Sequence, residues 1–208
     1  MRFDFKPHLA AVARSVSSPE RDGRPARAIT LSRSYPTTEE DLWDAVTNPQ
    51  RIPHWFTPVS GDLEPGGRYQ LEGNAGGVIE VCEPPRLLAL TWVFGEYVSW
   101  VEVRVSGDAG GGARLTLTHT APHSEHWDQY GAGATGVGWE LALAGLAIHL
   151  GQPDAPKPDE AELAGSPDGR AFVAGSSEAW GEAAVAGGED PGAVRAAAAR
   201  TTAFYTGA

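Results

Sequence analysis

The sequence predicts an α+β fold, a curved antiparallel sheet around one long helix, with an extra helical segment at the C-terminal end. Three patterns carry that expectation. Between Ala28 and Thr120, short runs alternate apolar and polar residues and are separated by Gly- and Pro-rich turns, as the strands of an antiparallel meander do. From about Val137 to Leu150 the chain is apolar, and Trp139, Leu143, Leu146 and Leu150 recur at helical spacing, an inward stripe. A sheet with one apolar face and a helix to cover it make a two-layer domain. Beyond Gly151, helix signals return twice.

Residues 1–27 form an N-terminal extension, in which Leu9, Val12, Ala13 and Val16 fall at helical spacing and predict a short amphipathic helix. Ser17 to Pro25 reads as a polar linker. The domain proper, residues 28–151, opens on a strand at Ala28. Thr37 and Glu40 form a capping box that starts a helix running to about Val46. Asn48-Pro49 is a second start signal and leads into Trp55-Phe56. Strands are predicted at Arg68–Leu71, Val78–Cys82, Leu87–Phe94, Tyr97–Val105 and Ala113–Thr120, with a hairpin turn at Gly95-Glu96. Residues 152–208 form a helical C-terminal extension: a loop over 153–158, a helix from about Gly169 to Val185, and a last helix from Asp190-Pro191 to Tyr205. Docking of this segment, on the core or on a second subunit in a homodimer, is expected, because it would otherwise expose Phe172, Trp180, Phe204 and Tyr205.

Alternation also predicts which side chains face the helix. In Val101–Val105 the valines point inward; in Arg114–His119 the leucines do, and His119 shares their parity. Leu88, Leu90 and Trp92 form one face, with Tyr69 and Leu71 on a neighbouring strand. The candidate ligand-binding residues are therefore Trp55, Phe56, Tyr69, Leu90, Trp92, Val103, Leu117, His119, Trp139 and Leu143. Their walls are aromatic or aliphatic and their polar anchors few, which suits a small apolar molecule held by burial, with one hydrogen bond from His119 or Tyr69. The same residues also suit a filled core. No catalytic residue is assigned, since only His119 and Tyr69 offer acid–base chemistry on this face.

Composition excludes several classes. The chain has 208 residues and a formal net charge of −11, with lysine only at Lys6 and Lys157, so no basic stripe is available for nucleic acid or for anionic lipid. Cys82 is the single cysteine, so no internal disulfide forms, and no base is paired with it in the sequence. Charges interrupt the N-terminus, unlike a secretory signal, and the longest apolar stretch is too short to span a bilayer and carries Glu140 and His149. A cytoplasmic location follows as the expectation. Gly131-Ala132-Gly133-Ala134-Thr135-Gly136 spells a dinucleotide fingerprint, but no strand precedes it and the acid at a suitable distance, Asp154, falls in a proline-rich loop. His119, His123 and His126 match no metal-ligand spacing. No cofactor or metal is expected.

Specific combinations within residues 28–150 resemble a known family: Leu42-Trp43-Asp44-Ala45, Asn48-Pro49 before Trp55-Phe56, Gly66-Gly67-Arg68-Tyr69, Glu80-Val81 before Pro84-Pro85, Thr91-Trp92, Arg114 to His119, and Gly138-Trp139 with Leu143. In these the chain is similar to the SRPBCC superfamily, also called START-like, helix-grip or birch-pollen-allergen-like. Within it, the chain resembles the branch of heat-shock-protein ATPase activator homologues. The resemblance implies a cavity between sheet and helix that binds a small hydrophobic lipid, polyketide or aromatic molecule. It carries no shared catalytic residue. Two other activities are compatible with it: a cyclase, aromatase or hydrolase acting in the same cavity, or a co-chaperone that activates a heat-shock-protein ATPase. The last is disfavoured by the expectation that no separate domain precedes Ala28.

Overall fold

The computed structural model describes residues 6–157, 159 and 165–207. In chain order these form α1 (Lys6–Ala10), β1 (Ala13–Ser17), β2 (Glu20–Arg21), β3 (Arg24–Tyr35), α2 (Glu39–Thr47), a 3-10 turn (Ile52–His54), β4 (Val59–Gly61), β5 (Arg68–Leu71), β6 (Gly76–Glu83), β7 (Leu87–Phe94), β8 (Tyr97–Gly107), β9 (Ala113–Pro122), α3 (Glu125–Tyr130) and α4 (Gly133–Gly151). Two helices follow, α5 (Pro167–Ala186) and α6 (Pro191–Thr206). Nine strands make one curved antiparallel sheet in the order β1-β3-β9-β8-β7-β6-β5-β4, with β2 paired to β3. Among the described residues no helix is long and apolar enough to cross a membrane.

The long helix, the β5 and β7 boundaries and the two C-terminal helices lie close to where the sequence puts them, and the loop predicted over 153–158 ends on Pro158, outside the described residues. The N-terminal extension differs. Helix α1 stops at Ala10, and Ala13–Ser17 is a strand in which Arg14 and Val16 share the sheltered parity. Helical and period-two spacing both fit Val12 and Val16, and strand pairing decides between them. The predicted linker is a hairpin: Glu20 pairs with Pro25 and Arg21 with Arg24, around Asp22-Gly23, both of which have positive φ (53° and 72°). Asp-Gly with two positive φ values is the tight turn whose twist matches flanking strands. The α2 cap also shifts by one residue. Thr38 accepts from the Asp41 amide, while the Thr37 hydroxyl donates to the Asp41 carboxylate at 2.5 Å.

The chain forms two compact units. The first comprises Met1–Leu31, His123–Ala144 and Pro158–Ala208. In it α5 packs on β1 and α6, burying Phe172 and Trp180 completely. Phe204 departs from expectation and stays 65% exposed, with its ring beside those of Tyr130 (5.6 Å between centroids) and Tyr205 (5.4 Å). The glycines of the fingerprint-like run have a packing role here. A Cβ on Gly136 would lie 2.3 Å from the Trp180 indole, and one on Gly133 would lie 3.3 Å from Thr201. The element before them is α3, so the strand that phosphate binding needs is missing. Tyr205 donates to the Ala134 carbonyl (2.8 Å) and Thr201 to that of Tyr130 (2.7 Å), which ties α6 to the start of α4 and to the end of α3.

The second unit comprises Ser32–Pro122 and Gly145–Lys157. It holds α2, strands β4 to β9 and the last turns of α4. Trp55 donates its indole N–H to the Ala45 carbonyl (2.9 Å), and its own carbonyl leaves room only for glycine at 145, where a Cβ would sit 2.8 Å away.

In the first unit, Glu140 of α4 is buried and receives two hydrogen bonds from Arg14 of β1, at 2.5 and 2.7 Å. The same guanidinium caps the carbonyls of Val12 and Leu9. Removing one partner strands a buried charge, whereas replacing both removes the problem. Arg14→Met alone should cost about 3–5 kcal/mol in urea unfolding, and Arg14→Met with Glu140→Leu should cost much less. Additive costs in the double variant would contradict the coupling.

Candidate ligand-binding site

The site is built in the second unit by strand register. Across β6 to β9, Ile79 pairs with Leu90, Leu90 with Val101 and Val101 with His119. A parallel row runs from Cys82 through Leu88 and Val103 to Leu117. Side chains in register on one face stack into a continuous wall. Over β8 and β9 that wall is closed: Val101, Val103, Leu117 and His119 are all under 10% exposed. Over β7 it is open, because Leu88, Leu90 and Trp92 are only half-buried although they lean on the buried cluster of Tyr69, Leu71 and Ile79. Phe56 and Cys82 are half-buried beside the same cluster.

Three polar groups stand on this wall, Ser99, His119 and Tyr69, and all are engaged. Ser99 donates from Oγ to the Trp92 carbonyl (3.0 Å), so the 2.8 Å contact between Ser99 Oγ and His119 Nε2 requires the imidazole to donate. The proton therefore sits on Nε2 of a neutral ring. Burial pushes the His119 imidazole down to about 4. Its ring lies 6.0 Å from that of Trp92, tilted by 60°. Tyr69 donates its hydroxyl hydrogen to the Thr91 carbonyl (2.8 Å), and burial holds its phenol well above the usual tyrosine value. The hydrogen bond expected from His119 Nε2 or the Tyr69 hydroxyl to a ligand is thus already given to the protein.

The other candidates fall as follows. Trp55 is buried and stacks on Phe56 at 5.6 Å between centroids, and Lys157 donates to the Phe56 carbonyl (2.6 Å). Trp139 and Leu143 lie on the first part of α4, within the first unit, Leu143 buried and Trp139 half-buried. Sequence reasoning missed Ser99, although its parity with Val101 was available. It also missed Cys82, which a bulge between Ile79 and Val81 turns to the inner face, and a bulge leaves no mark in alternation. Two open clefts lie elsewhere. One of about 290 Å³ is lined by Gly61, Arg68, Gln70, Gly76, Val93 and others, and meets the candidate set at Tyr69. The second, about 650 Å³, runs between α5 and α6 past Gly181, Glu182 and Val194.

A polar knot fixes the helix end in this unit. Arg51 bridges Asp41 (2.7 Å) and Asp44 (3.0 Å) and donates from Nε to His149 Nε2 (3.4 Å), whose ring stacks on His54 at 5.4 Å. Burial, then the Arg51 charge, then that of His54, lower the His149 value, while Asp41 opposes them. Among the described residues, no group of three or more His, Cys, Asp or Glu is placed to hold a metal ion.

A curved antiparallel sheet with a long C-terminal helix and an apolar inner wall defines a helix-grip domain of the SRPBCC type, a ligand-binding fold whose members take small hydrophobic molecules. Residues 36–151 match the family described as activator of Hsp90 ATPase homolog 1-like protein, and the chain belongs to that family. It is similar to CalU16 from Micromonospora echinospora. The crystal structure of CalU16 is 32% identical with a TM-score of 0.67, covering 83% of this chain and 98% of CalU16. The solution NMR structure of CalU16 gives 33% identity and a TM-score of 0.71 over 85% and 97% of the two chains. This cover exceeds residues 36–151, so part of the flanking segments is shared with CalU16. DynU16, from the dynemicin biosynthetic locus, shares the fold at 22% identity and a TM-score of 0.51, over 61% of this chain and 48% of its own. No curated protein matches the chain.

The buried imidazole yields a signed prediction. A histidine at about 4 in the folded protein, against 6.5 ordinarily, stabilises the fold above pH 6.5, and that contribution is lost as pH falls from 6.5 towards 4. The loss is about 3 kcal/mol at most. His119→Gln should flatten the stability–pH curve in that window. An NMR titration of the wild-type ring should show Nε2 protonated and a midpoint near 4; a midpoint near 6.5 would contradict its burial.

Proposed function

We propose that the protein binds a small apolar, ring-containing molecule on the half-open wall of β5 to β7, with Leu88, Leu90 and Trp92 as its contact surface and Phe56 at the rim. The observation that carries this is the contrast along one register row: Leu90 of β7 is half-buried where its partner Val101 is 3% exposed. Large apolar side chains on the inner face of a sheet normally lose their water to the core, and about 25 cal/mol is gained per Å² removed. A guest that covers Leu88, Leu90 and Trp92 gains what the fold leaves ungained. The family's ligand-binding fold supports the same reading. Binding is favoured over catalysis because His119 and Tyr69, the acid–base groups of the wall, are hydrogen-bonded within the protein and held neutral.

The test is uptake of the fluorescent apolar probe N-phenyl-1-naphthylamine, together with native mass spectrometry for a co-purified guest. The wild type should bind the probe saturably. Leu90→Trp, which fills the open part of the wall, should weaken binding at least about tenfold, the scale of one lost side-chain burial. Phe204→Ala, at an exposed ring of the other unit, should leave it unchanged. Unaltered binding by a folded Leu90→Trp variant, or no uptake by the wild type, would overturn the proposal.

A further inference from the structure

Alternation and register settle the charge of the wall as well as its polarity. The inward positions of β4 to β9, from Val59 and Gly61 to Leu117 and His119, include no Asp, Glu, Lys or Arg. The charged residues of these strands, Arg68, Glu80, Glu83, Glu102, Arg104 and Arg114, lie on the opposite parity or in the β6 bulge, half-buried or exposed. Arg104 pairs with Glu102 across two positions (2.7 Å), and Arg114 with Asp108 (2.8 Å), both away from the wall. An inward-facing cation does occur on β3, where Arg33 lies over the Tyr35 ring at 5.3 Å. Strands β9 and β8 separate β3 from β7, a span of about 14 Å at the usual strand spacing.

From this we infer that the site discriminates by charge: it takes neutral ring compounds and rejects anions of the same shape, such as aromatic carboxylates, sulfonates and fatty-acid anions. The inference rests on the binding site proposed above and adds the chemical class of its ligand. An anion entering this wall gives up its water and meets no opposite charge on strands β4 to β9; the cation at the rim, Lys157, donates to the Phe56 carbonyl (2.6 Å), and the side-chain hydrogens of Ser99 and Tyr69 and the Nε2 hydrogen of His119 are already engaged. The imidazole does not supply a charge at neutral pH, because burial keeps it unprotonated there. A neutral guest incurs none of these costs.

The experiment uses the full-length chain and two probes that share one scaffold. N-phenyl-1-naphthylamine is neutral, and 8-anilinonaphthalene-1-sulfonate adds one anionic group. Both are titrated by fluorescence in about 0.5 M salt, where the net charge of the chain is screened within a few ångströms and no longer repels the sulfonate from a distance. The neutral probe should bind at least about tenfold tighter, the smallest ratio that a buried, unpaired anion implies. Equal affinities at a site that Leu90→Trp blocks would overturn the charge selection and leave the apolar site standing. Failure of both probes would instead overturn the site itself. Cys82→Lys places a cation beside Leu88 at the rim of the wall, and circular dichroism reports whether the variant folds. In a folded variant the ratio should narrow severalfold, and an unchanged ratio would contradict the inference. The wild-type ratio decides alone if the variant does not fold.

Discussion

A slip of β9 by one residue against β8 would carry Leu115, Leu117 and His119 to the outer face and bring Thr116 and Thr118 in. Every feature of the candidate site depends on that register not slipping. Side chains alternate with a period of two, so register and face are one choice, and a sheet with one buried face enforces it. The wall of Leu88, Leu90 and Trp92 exists because β7 pairs with β8 over its whole length, from Leu87 with Arg104 to Phe94 with Tyr97. The turn between them, Gly95 with φ of 60°, sets where the count begins.

Within that frame the inner face can hold only polar groups that find partners on the sheet. The chain from His119 through Ser99 to the Trp92 carbonyl does this across three strands, and Tyr69 does it by reaching the Thr91 carbonyl over the small residue Gly77. Both arrangements keep the wall neutral and use hydrogens that a ligand would otherwise compete for. Burial supplies the affinity that such a wall can offer, so shape and charge decide what it accepts. Elsewhere the same problem is solved differently. Glu140 on the apolar helix is buried together with Arg14, which a strand of the N-terminal segment brings to it.

Much of this was legible in residue order. Val101–Val105 and Arg114–His119 alternate so regularly that their inward residues, His119 included, could be named before the structure, and the inner face of β7 followed in the same way. The long helix was legible from its apolar length. Three things were not. The N-terminal strand was hidden because Val12 and Val16 satisfy both periods and the charge at Arg14 has meaning only with its distant partner. The bulge that turns Cys82 inward adds a residue without changing composition. The openness of β7 beside closed β8 and β9 depends on what covers each strand, a tertiary property that alternation does not encode.

The central claim is that the open wall of β7 is where the protein takes up a guest, and chemical-shift mapping tests it most directly. The methyl groups of Leu88 and Leu90 and the indole of Trp92 should carry the largest perturbations on saturation with N-phenyl-1-naphthylamine, with smaller ones at Phe56 and Ile79. Perturbations concentrated instead at Val194 and Val185, in the cleft between α5 and α6, would contradict the account.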